Sequence, residues 1–177
     1  MQPWHKYPGP GQTKINEEDC EQRIIPRNLT NIKKIVPVGR YTIYLTYDGK
    51  AVYGFNGITT TPKPLMEGVK DVFYVGSYVF LLTETGQLMY YKESREKCRD
   101  WTFNFTPVLP ETDTKFVSVS AGVSHLMAVT KQSTVYAVDA GHSMEVKVEL
   151  IDLFPYKTTK VRSVKCTDFW SCLTFKK

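Results

Sequence analysis

The sequence is poor in the residues on which enzymes and metal proteins are usually built. It has three histidines, His5, His125 and His142, and four cysteines, Cys20, Cys98, Cys166 and Cys172, with no Cys-x-x-Cys pair. Such spacing signals neither a zinc knuckle nor a small disulfide framework, so reduced core thiols are expected. Cys166, Cys172 and Asp168 come nearest to a ligand set, but they straddle an expected strand and lack a fourth ligand. No Gly-x-x-x-x-Gly-Lys-Ser/Thr or Gly-x-Gly-x-x-Gly run occurs, and Gly9-Pro10-Gly11 contains a proline with no N–H for an anion nest. No cofactor, metal or nucleotide cradle is therefore expected. No stretch approaches the roughly 18 to 20 apolar residues of a membrane-spanning helix, and Met1-Gln2-Pro3-Trp4-His5 does not open a signal peptide. An intracellular protein, cytoplasmic or nuclear, is the expectation, under which the sequons at Asn28 and Asn104 carry no weight.

Hydrophobic residues make up 42% of the chain and charged residues 23%, the composition of a globular domain with a core. Its 11 Tyr and 9 Phe, with many Val, Ile and Thr, suit pleated, half-buried strands. The net charge of +5 is unevenly placed: residues 157 to 177 hold Lys157, Lys160, Arg162, Lys165, Lys176 and Lys177 against Asp168 alone. This segment accounts for the whole excess. It suits an acidic or phosphate-bearing partner, or a strand edge that lysines protect from unwanted pairing.

The chain repeats itself. Four segments align on a threonine that closes an apolar run: Thr46, Thr83, Thr130 and Thr174, at spacings of 37, 47 and 44 residues. Leu45, Leu82, Val129 and Leu173 precede them directly, and Ile43, Phe80, Met127 and Ser171 stand three before. A ring-bearing residue stands five before in every copy, as Tyr41, Tyr78, His125 and Phe169. Farther upstream lie Gly39, Gly76 and Gly122, with Thr167 in the last copy, and then the paired-apolar runs starting at Ile32, Val69 and Phe116. The run at Val161 is displaced by one residue.

Each unit reads as strand, tight turn, strand, hairpin, strand: Ile32 to Val38, Gly39-Arg40, Tyr41 to Thr46, a turn at Asp48-Gly49, and Ala51 to Phe55. Asp48-Gly49 predicts a type I′ turn with positive φ at both residues. The glycine after the first strand marks a position of positive φ or of close approach. Small sheets of three or four strands cannot cover both their faces and gain stability by stacking. Period and content together indicate β-propeller blades, about three full ones plus partial N- and C-terminal blades: 31–67, 68–114, 115–159 and the partial 160–177, with 1–30 a partial blade or linker.

The runs Ile35 to Gly39 and Thr42 to Asn56, and the Gly-x-x-His spacing of Gly122 to His125, resemble the RCC1 (regulator of chromosome condensation) repeat family. Gly9-Pro10-Gly11-Gln12 and Ile25 to Asn31 resemble its Gly-Gln loop and Pro-led approach to the next blade. The resemblance covers nearly the whole chain. It implies a single RCC1-like propeller domain over 1–177, an all-β fold that binds other proteins without catalysis. It also implies an alternative, a guanine-nucleotide exchange factor for a Ran-type small GTPase, in the family's chromatin-associated setting. Such rings close with about seven blades, so completion by another chain or by a further segment is an expected feature.

Candidate chemistry is sparse. His125 falls at a repeat position held elsewhere by Tyr or Phe, which predicts a packed core side chain. His142 lies in Asp139-Ala140-Gly141-His142-Ser143, which offers an acid, a base and a nucleophile for a small hydrolase, but a catalytic triad depends on spatial roles and adjacent turn residues seldom supply them. The expected partner-binding residues are Lys92, Arg95, Lys97, Arg99 and Trp101 in the long loop, since Arg and Trp are common interface anchors. Lys157, Lys160 and Arg162 in the basic segment join them.

Overall fold

The structure, a computed structural model, describes residues 29–39, 41–55, 63–92, 103–110, 112–141, 145–153, 160–168 and 170–175. The described chain is all-β. Four antiparallel sheets follow one another along it. The first comprises β1 (Ile32–Val38), β2 (Tyr41–Thr46), β3 (Ala51–Phe55) and β4 (Lys63–Met66). The second comprises β5 (Val69–Val75), β6 (Tyr78–Thr83), β7 (Leu88–Lys92) and β8 (Thr106–Pro107). The third comprises β9 (Phe116–Ala121), β10 (His125–Thr130), β11 (Val135–Asp139) and β12 (Lys147–Leu150). The fourth pairs β13 (Val161–Cys166) with β14 (Ser171–Phe175). Strands are neighbours in chain order within every sheet, which is the meander of a propeller blade. The first strands β1, β5, β9 and β13 approach one another in turn, so the second strand of each sheet lies one place out from them and is not the innermost.

The sheets stack flat side to flat side, and the repeat positions show how. In the second sheet Tyr78, Phe80 and Leu82 point forward and pack on Phe116, Leu126, Ala128 and Val138 of the third. Tyr41, Ile43 and Leu45 do the same against Val69, Val72, Val79 and Leu81, and Met127, Val129 and Val135 against Val161 and Val164. Period-2 alternation therefore sends one row to the next sheet and the other row back. Full burial of each such Leu, Val or Phe contributes roughly 1.5–3 kcal/mol.

The threonine that marks the repeat is a hairpin clamp. In the first copy Thr46 N donates to Lys50 O at 3.0 Å and Gly49 N to Thr46 O at 3.1 Å, while Lys50 N donates to the Thr46 hydroxyl at 3.1 Å. Thr83 with Gly86 and Gln87, and Thr130 with Ser133 and Thr134, repeat these bonds. Only the third loop residue has positive φ: Gly49 at 77°, Gly86 at 87° and, without a glycine, Ser133 at 68°. The expected type I′ turn at Asp48-Gly49 is thus replaced by a three-residue loop, a type I turn followed by one left-handed residue. Asp48 accepts from the Thr46 hydroxyl and from Lys50 Nζ at 3.0 Å. The hydroxyl first, and then the lysine, hold its carboxyl below the usual carboxylate range.

These hairpins also dock on the following sheet. Val69 N donates to Gly49 O and Phe116 N to Gly86 O, both at 2.8 Å, and the Ser133 hydroxyl donates to Val161 O at 3.4 Å. The left-handed loop residue of one blade therefore bonds the first residue of the next.

The fourth sheet corrects the repeat alignment by one residue. Thr46, Thr83 and Thr130 pair with Ile32, Val69 and Phe116, but the partner of Val161 is Phe175, and Thr174 pairs with Ser163. Phe175 therefore occupies the clamp position. Leu173 sits where Tyr44, Leu81 and Ala128 sit and packs back towards the third sheet; it does not share the place of Leu45, Leu82 and Val129. The ring-bearing position falls on Trp170 rather than Phe169, and the displacement of the Val161 run disappears. A one-residue slip exchanges every side chain between faces.

Candidate partner-docking face

The tight turns between first and second strands gather at one end of the stack. In the second sheet this turn needs Gly76: φ is 60°, and a Cβ there would lie 2.3 Å from Ala140 O of the third sheet. Gly122 is needed for proximity, since its Cβ would lie 2.3 Å from Thr167 O and 2.7 Å from the His125 ring. Thr167 replaces glycine in the fourth turn, where its N–H donates to Trp170 O at 2.8 Å and its hydroxyl accepts from Trp170 N at 3.3 Å. Between these turns runs an open groove of about 430 Å³, lined by Tyr74, Gly76, Gly122, Val123, Thr167 and Asp168 among others.

Two apolar side chains stand exposed at this end, Val123 at 57% in the groove lining and Trp170 at 80% beyond the fourth turn. The contrast along the repeat is informative. Tyr41 and Tyr78, at the same place in the first two sheets, are 3% and 2% exposed. Tyr41 packs edge-on against Tyr53 and Phe103, and Tyr78 against Tyr90. His125 is half-buried, and Trp170 is open. With Cys172 and Thr174, both exposed, Trp170 forms the forward row of the fourth sheet, and no described residue covers it.

His125, expected as a packed core side chain, is instead a link between sheets. Its Nε2 lies 2.8 Å from the Ser171 hydroxyl, Ser171 donates to Cys166 Sγ at 3.3 Å, and the thiol donates to Ser120 O at 3.1 Å. Which partner donates in the His125–Ser171 contact depends on the imidazole tautomer. The chain of donors ends on a backbone carbonyl.

Of the expected partner-binding residues, three are described, and they lie at opposite ends of the sheets. Lys92 ends β7 opposite Tyr78, at the end with the tight turns, with its ammonium 5.5 Å from the Tyr78 ring centre. Lys160 and Arg162 lie at the start of the fourth sheet, at the hairpin end. Arg95, Lys97, Arg99, Trp101 and Lys157 fall outside the described residues, as do His142, Cys20, Cys98 and the N-terminal segment 1–28. Sequence reasoning missed Trp170 because the one-residue misalignment gave its repeat position to Phe169. Correcting the register by the pairing of Val161 would have found it. Among the described residues no group of three or more His, Cys, Asp or Glu could hold a metal, and no helix is long and apolar enough to cross a membrane.

Comparison with known proteins shows the fold. No family model and no curated protein matches the sequence. Among solved structures, yeast RCC1 (Prp20) in its crystal structure with Kap60 superposes with a TM-score of 0.59 at 17% identity, over 85% of this chain and 43% of that one. Human WBSCR16 superposes with a TM-score of 0.53 at 14% identity, over 82% and 45% of the two chains. The N-terminal domain of Nup159 gives 0.56 at 10% identity, over 83% and 40%. The chain spans less than half the length of each of these structures. The fold is that of RCC1-like β-propeller blades, as the repeats suggest.

Proposed function

We propose that this chain is a non-catalytic, intracellular protein-interaction propeller domain that docks a partner protein on the end bearing its tight turns, with Trp170 as the anchor. The observation that carries this reading is the exposure of Trp170 at a repeat position where earlier sheets bury a tyrosine. Large aromatic side chains dominate interface energetics when a partner desolvates them, and exposed Val123 and the groove that Asp168 helps to line lie at the same end. The forward row Trp170, Cys172 and Thr174 is also where a further blade would stack, so completion of the ring by another chain belongs to the same reading.

The test replaces Trp170 with a photo-crosslinking phenylalanine analogue in the full chain, with Lys50 at the hairpin end as control. The protein captured at Trp170 is then purified and titrated against wild type and Trp170→Ala. The reading expects capture at 170 alone and a loss of affinity of about tenfold or more in the variant. Equal capture at both positions, or unchanged affinity, would overturn it.

A second reading, exchange of guanine nucleotide on a small GTPase, draws support from the likeness to Prp20p of Saccharomyces cerevisiae, whose crystal structure is described together with its binding properties to Gsp1p and histones. Exchange by a propeller face requires no nucleophile and no metal of its own. Nucleotide release measured across a panel of small GTPases tests it, and unaltered release throughout would reject it.

A further inference from the structure

The opposite end of the stack carries a repeated irregularity. Each first strand has a register shift at its second residue: pairing skips from Ile32 to Lys34, from Val69 to Asp71, from Phe116 to Ser118 and from Val161 to Ser163. The four bulged residues are Lys33, Lys70, Val117 and Arg162. All four are exposed. A bulge leaves one residue out of the ladder and re-aims its side chain, so one residue per sheet is presented along the inner strands at the hairpin end.

Three of the four are cations, and the two lysines each reach the next bulge. Lys33 Nζ donates to Lys70 O at 2.7 Å and Lys70 Nζ to Val117 O at 3.3 Å, so each ammonium bonds the carbonyl of the next bulge. One such bond uses one of three ammonium protons. The neighbouring acids are otherwise engaged or placed between the blades. Asp71 pairs with Lys34 at 2.8 Å, Asp48 with Lys50 at 3.0 Å and Asp113 with Lys115 at 3.8 Å. Among the described residues Lys33, Lys70 and Arg162 have no carboxylate partner. Lys131 and Lys160 are exposed at the same end, and Tyr47, 75% exposed, stands on the first hairpin.

We infer that this row of bulges is a second docking surface, separate from the Trp170 face, for an extended acidic segment of a partner protein. The spacing favours spaced carboxylates over a phosphate backbone. The cations come one per blade and are interrupted by Val117 in the third, so they form spaced single charges rather than a continuous basic track. Arg162 supplies a planar fork for a bidentate carboxylate, and the lysines supply point charges.

The test is fluorescence anisotropy at physiological salt with a ten-residue Asp/Glu-rich peptide and, in parallel, a single-stranded oligonucleotide of ten bases. Replacing Lys33, Lys70 and Arg162 together with Gln should weaken the peptide by about tenfold or more. Replacing Lys63, Lys147 and Lys165, which removes the same charge elsewhere, should leave it within about twofold. Because the bulge lysines also bond backbone, a gain-of-function variant guards against a folding artefact: Val117→Lys restores the missing cation and should tighten the peptide by about threefold or more. Absence of peptide binding, equal weakening in the two triple variants, no gain with Val117→Lys, or tighter binding of the oligonucleotide than of the peptide would each overturn the inference.

Discussion

Gly86 and Ser133 hold the same place in successive hairpins, and exchanging their chemistry tests the description of the turn. Both have left-handed backbone, at φ of 87° and 68°, where an L-residue costs roughly 1–2 kcal/mol relative to glycine. In Gly86→Ala that strain appears, and the new Cβ would stand 3.1 Å from Lys115 Cβ and from Phe116 O. The lower entropy of the unfolded chain returns about 0.4–1 kcal/mol, leaving a net loss of about 1 kcal/mol. Ser133→Gly relieves the strain, but glycine's extra freedom takes back about 0.5–1 kcal/mol and the 3.4 Å bond to Val161 O is lost. The net gain is at most about 0.5 kcal/mol. At roughly 2–4 °C per kcal/mol for a chain of this size, thermal melts followed by circular dichroism should fall by a few degrees for Gly86→Ala and rise slightly or stay level for Ser133→Gly. A neutral or stabilising Gly86→Ala, or a Ser133→Gly variant destabilised by more than about 1 kcal/mol, would refute the three-residue loop with a single left-handed position.

Thr83→Val removes the hydroxyl that accepts Gln87 N at 2.9 Å; a loss of about 1 kcal/mol is expected in urea unfolding, with an unchanged denaturant slope. Phe80, fully buried at the contact of the second and third sheets, should lose about 3–5 kcal/mol on truncation to alanine, read by the same assay. Asp48 has its carboxyl depressed by the Thr46 hydroxyl and by Lys50. Its contribution is therefore present above the ordinary aspartate range and lost as pH falls through the lowered folded value. An NMR titration should place its midpoint below that of an unstructured aspartate, and Asp48→Asn should flatten the acid limb of the stability profile.

The fold was legible in the sequence because each blade repeats the same local choices. An apolar run, a turn glycine, a ring, a second apolar run and a closing threonine specify two strands and the bends between them. The strands from Ile32 to Val38 and from Tyr41 to Thr46 fall where that pattern places them. The fourth strands of the first two sheets were not legible. Lys63–Met66 contains a proline and Thr106–Pro107 is two residues long, so neither offers alternation to detect, and both exist through pairing with β3 and β7. The bulges were hidden for a related reason. They shift pairing without altering composition. In the last copy the threonine nearest the strand end, Thr174, stands one residue before the register position, which Phe175 holds. The candidate docking face was hidden by the same slip. Burial decides it, and burial of Trp170 depends on what stacks against the fourth sheet, which local sequence does not encode.

The account rests on consecutive sheets being stapled together by hairpin carbonyls, so that they open as one unit. Amide hydrogen exchange measured by NMR on the full chain tests this most directly at Val69 and Phe116, whose N–H groups donate to Gly49 O and Gly86 O. The account predicts that both amides exchange as slowly as those of Ile43 and Phe80 in the buried second strands, with the same dependence on added denaturant. Exchange at the rate of an exposed loop, while the second strands stay protected, would show that the blades open independently and contradict it.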